Sequence, residues 1–422
     1  MEKYNEYKDS GVQWLGEIPS HWKIRRIKWL FREEDEKNVN LTYQLLSFSR
    51  NKGIIPFSAI NEKAPSASDL SKYKVLHEGQ LLENRMQAWS GMFGCSHIEG
   101  CVSPDYSVFS PYDSNVVTEY YACLFRIPIF VQQFANASKG IGDGFNRLYT
   151  PQFHKIYAIV PSTIEQHAIV FYLDTKCSKL DTFISNKEKE ITLLQEMKLR
   201  VITDAVTRGL NPNVKFKPTN IPWLPEIPEY WKIKRAKNMF KKEQRPIQDD
   251  DEIVTCFRDG EVTLRKNRRT SGFTEATDYS HYQHICKGDL VIHQMDAFAG
   301  SSGVSDSDGM GTPVLSVCTP KIEGIDNYYY AHVLRIMGKN GFILSLYRGI
   351  RERSSDFRFD TFIKQWLPVP PIEEQHAIVS YITERVAKID SLVEKLNKEI
   401  ECIKEYKQRL ISDVVTGQIK VS

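Results

Sequence analysis

The chain lacks a long apolar run. Its stretch from Tyr120 to Val131 is broken by Arg126 and Pro128, whereas a membrane-spanning helix needs about 20 predominantly apolar residues. The start, Met1 to Ser10, is polar and charged, so no signal-peptide pattern opens the sequence. An excess of one charge is also missing: 56 Lys and Arg against 53 Asp and Glu leave a net +3 and a pI near 8.2. That balance allows a polyanionic partner without demanding one. Eight cysteines are present, at positions 95, 101, 123, 177, 256, 286, 318 and 402. Their positions do not recur between the two halves, so free thiols in a reducing compartment fit better than a disulfide framework. The expectation is a cytoplasmic protein with no membrane contact.

Signatures of catalysis are scarce as well. A methyltransferase needs a glycine-rich cofactor loop and an Asn-Pro-Pro-aromatic or similar segment; the nearest approach, Asn211-Pro212-Asn213, lies in a linker. A metal-dependent nuclease would follow Pro104-Asp105 with Glu-x-Lys, but Glu119 is followed by Tyr120-Tyr121, and Val314 stands where Asp105 would recur. Cys95, His97 and Cys101 are close in sequence, yet Cys-x-His-x-x-x-Cys is not a common zinc spacing. Val304, Asp306 and Met310 occupy their repeat positions, so no metal site is expected. His167 and His376 have no identifiable carboxylate or nucleophile partner, which favours docking or capping over acid–base chemistry.

What is present is a duplication. Glu165-Gln166-His167-Ala168-Ile169-Val170 recurs as Glu374-Gln375-His376-Ala377-Ile378-Val379, 209 positions later. The same offset relates Asp181 to Asp390, Glu190 to Glu399, Arg200 to Arg409 and Thr207 to Thr416 without a gap. An insertion in a long helix would rotate its apolar face, so shared register suggests a shared packing partner.

The periodicity in both copies is helical. Ile389, Val393, Leu396, Ile400, Ile403, Leu410 and Val414 fall at alternating spacings of three and four, interrupted by Lys407. Leu180, Ile184, Ile191, Leu194, Val201 and Ala205 take the same places in the first copy, interrupted by Lys187 and Lys198. Such a seam flanked by charge predicts a coiled coil. Ser162-Thr163-Ile164-Glu165 has capping-box spacing, Pro370-Pro371 blocks an earlier second helix, and Gly209 and Gly417 mark the ends. About 45 residues at roughly 1.5 Å each give a rod of about 65 Å. A dimerisation coil would also fit one such stretch, but two copies in one chain pair more simply with each other, antiparallel.

The duplication extends beyond the helices. Trp14-Leu15-Gly16-Glu17-Ile18-Pro19-Ser20-His21-Trp22 matches Trp223-Leu224-Pro225-Glu226-Ile227-Pro228-Glu229-Tyr230-Trp231 at the same offset. Between these motifs and the helices lie two blocks of short apolar runs separated by Gly, Ser, Asn, Asp and Pro, the texture of a β-rich domain. Tyr120-Tyr121-Ala122 recurs as Tyr329-Tyr330-Ala331, whereas cationic stretches diverge: Arg265-Lys266-Asn267-Arg268-Arg269 aligns with Pro56-Phe57-Ser58-Ala59-Ile60. The expected architecture is α+β: two pseudo-twofold-related β-rich globular domains separated by two long antiparallel helices forming a coiled coil. Its expected segments are residues 1–160, 161–211, 212–369 and 370–422. Residues 1–13 are expected as a flexible or peripheral lead-in and 210–220 as a linker. The tail after Gly417 sits where such a linker would continue toward Trp14, like a ring cut open at the termini.

These residues resemble the DNA-specificity subunit of type I restriction-modification systems. The resemblance spans nearly the whole chain and rests on Ile-Pro-x-x-Trp, on Pro-x-x-x-Glu-Gln-x-x-Ile at each helix start, and on Thr207-Arg208-Gly209. The second copy departs to Thr416-Gly417-Gln418. The resemblance implies target-recognition domains at about 14–160 and 223–369, each reading half of a split target in double-stranded DNA. It also implies two modification subunits, which methylate adenine, and restriction/translocase subunits docked on this chain. No cofactor is expected here; S-adenosylmethionine, ATP and magnesium would belong to the partners.

Candidate DNA contacts are Arg85, Met86, Trp89, Lys139, Arg147, Gln294, Arg348, Arg351, Arg353 and Arg358, on loops where glycines allow close approach. Candidate docking and spacer residues are Glu165, Gln166, Ile169, Ile184, Ile191, Glu374, Gln375, Ile378, Val393 and Ile400. The alternatives are an autonomous DNA methyltransferase or nuclease, and a coiled-coil scaffold that binds proteins.

Overall fold

The periodic stretches fold as predicted, into helices Thr163–Arg208 and Ile372–Val415 of a computed structural model. The structure describes residues 2–50, 52–59, 69–140, 146–269, 271–272, 278–346 and 357–421. It divides into two units, Met1–Glu188 with Asn397–Ser422, and Lys189–Leu396. Each unit therefore takes the start of one long helix and the end of the other.

In the first unit an antiparallel sheet orders Phe31–Glu34, Tyr106–Pro111, Leu81–Asn84 and Phe93–Cys95. Smaller pairs surround it: Tyr7–Asp9 with Glu17–Pro19, Lys23–Arg26 with Tyr157–Val160, Leu46–Ser49 with Gly53–Pro56, and Lys74–Leu76 with Gly100–Val102. Helices Thr118–Leu124 and Pro128–Ala137 cover one face. Their core is aromatic, with Phe31, Phe93, Phe109, Phe125, Phe130, Phe134 and Phe153 buried together.

The second unit repeats this frame. Its sheet orders Phe240–Glu243, Leu315–Pro320, Leu290–His293 and Ser302–Val304. One difference has a clear cause. Asn327–Lys339 is a single helix, whereas the equivalent stretch of the first unit is split before Pro128. A proline ring disfavours helical backbone at the residue before it, and Ile127 is extended with ψ 151°.

Within each unit the helices pack antiparallel. In the first, Ile169 and Leu173 near the start of one helix share a core with Leu410 and Val414 near the end of the other. In the second, Ile202 and Val206 meet Ile378 and Ile382. The lysines that interrupt the seams are answered by acids. Lys407 Nζ donates to Asp181 at 2.6 and 2.8 Å, and Lys198 Nζ to Asp390 at 2.7 and 2.8 Å. Both lysines and both aspartates are related by the repeat, so the two units use the same polar pin. Such half-exposed pairs add at most about 1 kcal/mol each, and their larger effect is to specify register.

Two expectations are corrected. Residues 1–13 are not a peripheral lead-in: Tyr7–Asp9 pairs with Glu17–Pro19, and the Tyr4 ring lies 5.6 Å from that of Trp22. Nor are residues 210–220 only a linker, since Phe216–Ile221 pairs with Leu224–Pro228. The carboxyl tail does run back toward the amino terminus. Lys420 N donates to Glu2 O at 2.9 Å, and Val421 is buried.

Candidate nucleic-acid interface

The repeated motifs turn out to fasten each helix end to its own unit. Trp22 and Trp231 are fully buried, and a buried indole N–H needs an acceptor. Glu165 and Glu374 supply it, at 2.9 Å each. Ser162 and Glu165 close the predicted capping box: Ser162 N donates to Glu165 Oε2 at 3.1 Å and Glu165 N to Ser162 Oγ at 3.3 Å. Burial pushes the Glu165 carboxyl up, but hydrogen bonds from Trp22, His21 and Ser162 outweigh it and hold the pKa at about 2.

The neighbouring glutamines are equally committed. Gln166 accepts from Val117 N and donates to Asn115 O and Pro161 O; Gln375 accepts from Asp326 N and donates to Gly324 O and Pro370 O. At the opposite helix ends, Tyr120 donates to Val415 O and Tyr329 to Val206 O, both at 2.8 Å. Gly209 and Gly417 complete the closure with φ of 74° and 76°. A Cβ on Gly417 would lie 2.8 Å from Trp22, and one on Gly209 2.7 Å from Glu374.

Of the candidate docking and spacer residues, Gln166, Gln375, Ile169, Ile184, Ile378 and Ile400 are buried, which suits packing of the helices rather than an outer docking face. Glu165 and Glu374 are bonded to tryptophans, and Ile191 and Val393 are half-buried on the seam. The apolar groups that remain outside are different ones. Phe183 and Leu392 are 41% and 49% exposed at equivalent repeat positions, and Met197 and Tyr406 are 53% and 46% exposed at another.

The loop candidates of the first unit converge. Arg85 follows the strand Leu81–Asn84, and its guanidinium donates to Pro104 O and Asp105 O, the latter at 3.1 Å. Arg147 reaches Asp105 at 3.6 Å, and its backbone pairs with Lys139 through two bonds of 2.9 Å. Leu148 N donates to Arg85 O, which closes the group. Beside it, Met86 and Trp89 are exposed, and the Trp89 indole donates to Met86 O at 2.9 Å. Arg50 joins this edge by donating to Ser90 O at 2.8 Å. The result is a cationic loop cluster with an aromatic face, braced by one aspartate.

The second unit uses the same frame with other side chains. Phe357 N donates to Gln294 O as Leu148 N does to Arg85 O. Gln294 Nε2 donates to Pro313 O at 3.3 Å and Ser316 Oγ at 3.2 Å, while Arg258 reaches Asp296 at 2.9 Å. Arg358 is exposed at the start of Phe359–Phe362. Arg348, Arg351 and Arg353 lie outside the described residues. In the run 265–269, Lys266 pairs with Glu252, and Arg268 with Asp259 and Glu261. Much of that charge is thus compensated locally.

Sequence reasoning missed one repeated surface feature. Arg26 lies over the Tyr157 ring at 5.2 Å, and Arg235 over Trp366 at 4.9 Å, at equivalent positions with both rings partly exposed. The shared offset was the available signal.

Two β-rich units built on one frame, each clamping the ends of two long helices, define a class of internally duplicated proteins. Within that class, the chain is similar in sequence to proteins named as type I restriction enzyme specificity subunits. The Methanocaldococcus jannaschii type I restriction enzyme MjaVIII specificity subunit is 24% identical over 293 residues, which is 66% of this chain and 66% of that relative. The chain thus spans just under two thirds of that relative. A putative MjaX specificity subunit from the same organism is 22% identical over 96% of each chain.

Solved structures share the fold. A chain from work on complex assembly and conformational transition of the type I R-M system superimposes with TM-score 0.69 at 13% identity, covering 95% of this chain and 99% of that one. The HsdS subunit from Thermoanaerobacter tengcongensis gives 0.53 at 13% identity, covering 95% and 98%. No protein-family model matches. No described helix is long and apolar enough to cross a membrane.

Proposed function

We propose that the chain recognises DNA for a type I restriction-modification complex, each unit reading one half of a split target. The observation that carries this reading is a preserved frame with exchanged loop surfaces. Where one unit offers Arg85, Met86 and Trp89, the other offers Gln294, Met295 and Phe298 on the same strand end. Arginine and glutamine suit different base edges in the major groove, while flanking lysines and arginines hold phosphates. Arg85, Lys139 and Arg147 serve the first half-site, and Gln294, Arg358 and the segment carrying Arg348, Arg351 and Arg353 serve the second.

Catalysis belongs to the partners: two modification subunits using S-adenosylmethionine, and restriction/translocase subunits using ATP and magnesium. The exposed pairs Phe183/Leu392 and Met197/Tyr406 supply repeated apolar surface for two like partners. A gel shift across salt concentrations tests the DNA reading. Affinity for a DNA containing the target should fall about a thousandfold or more between roughly 50 and 200 mM salt. Absence of binding, or methylation of DNA by the isolated chain, contradicts it.

A further inference from the structure

The cavity beside the end of strand Phe93–Cys95 is lined by residues whose chemistry the DNA reading does not use. Cys95 ends the strand Phe93–Cys95, and His97 follows two positions later in a bend. Glu119 comes from the first turn of the helix Thr118–Leu124. The Cys95 sulfur, a His97 ring nitrogen and a Glu119 carboxylate oxygen all lie within 4.8 Å of one another. The cavity has a volume of about 260 Å³, and Cys123 and Asp174 share its wall. Cys101, the third residue of the sequence cluster, is elsewhere: it is buried and its thiol donates to Tyr43 O at 3.5 Å.

We propose that Cys95, His97 and Glu119 form a site for a borderline divalent cation of the zinc class. One thiolate, one imidazole and one carboxylate suit such an ion better than magnesium or calcium, which prefer all-oxygen shells. Bond lengths of roughly 2.0–2.3 Å put tetrahedral ligand atoms about 3.3–3.8 Å apart. The three groups therefore need to close by at most about 1.5 Å, and the cavity has room for a water as fourth ligand. Binding releases the Cys95 proton to solvent. The ion would act as a staple between the strand end and the helix start.

The repeat supplies an internal contrast. The equivalent residues of the other unit are Val304, Asp306, Tyr328 and, for Cys123, His332, so the thiolate of Cys95 and the carboxylate of Glu119 have no counterparts there. A second cluster, His284, Cys286 and Asp308, is already engaged otherwise. His284 Nδ1 is held by Asp251 at 2.8 Å, and Asp308 accepts from Lys287 N at 2.9 Å.

Cobalt titration of the full chain tests the proposal. One equivalent should produce a thiolate-to-cobalt charge-transfer band that zinc abolishes by displacement. Cys95→Ser should eliminate the band, Glu119→Gln should weaken cobalt affinity about tenfold or more, and Cys101→Ser should leave both unchanged. Zinc-edge X-ray absorption of the unaltered chain needs no variant and should show at least one sulfur ligand. A shell of nitrogen and oxygen alone, no thiolate band, or a band that survives Cys95→Ser but vanishes in Cys286→Ser overturns the assignment.

Discussion

Two carboxylates show how position decides the sign of a charge's effect. Glu83 is fully buried on the strand Leu81–Asn84, and neither of its oxygens has a hydrogen-bond partner. Burial raises its pKa well above the ordinary carboxylate value. The fold favours its neutral form, whereas the unfolded chain ionises it above about pH 4.5, so it subtracts stability as pH rises from there through the raised folded pKa. The equivalent residue of the other unit is Ile292, also buried. Glu83→Ile should therefore stabilise the chain by about 1–3 kcal/mol at pH 7, with a smaller gain at pH 4, measured by urea unfolding. Glu165 behaves oppositely. Its folded pKa of about 2 lies below the ordinary 4.5, so its contribution is complete above pH 4.5 and is lost as pH falls toward 2. Glu165→Gln should lower the urea midpoint at neutral pH, and the gap to the unaltered chain should close in acid.

At the scale of elements, the long helices and the repeated frame were legible because a single offset ran through Trp22, Tyr120, Glu165, Gln166 and Thr207 and their counterparts. What those residues do was not. Identity between copies cannot separate a group kept for a partner from one kept for an internal bond, and Gln166 proved to be spent on Val117, Asn115 and Pro161. Arg85 could not be read either, because its link to Asp105 depends on the pairing of Tyr106 with Asn84. The same holds for Glu119, which meets Cys95 only after its helix packs on the sheet. The outer helix faces yield a direct prediction. Met197→Glu with Tyr406→Glu should raise the solubility of the isolated chain and abolish co-purification with the modification subunit, measured by sedimentation and pull-down. Retained co-purification would remove these residues from the docking surface.

At the scale of the whole molecule, the proposed DNA reading rests on two units that share a frame and differ in surface. Each unit has its own core, its own tryptophan–glutamate clasp and its own loop cluster, so a change in one loop should leave the other unit's preference untouched. The measurement that bears on this most directly is methylation-site mapping in a host carrying this chain with its modification partner, for the unaltered chain and for Gln294→Ala. The account predicts a split motif with an unread gap, and loss of preference in one half alone on substitution. A continuous motif, or relaxation of both halves together, would contradict it.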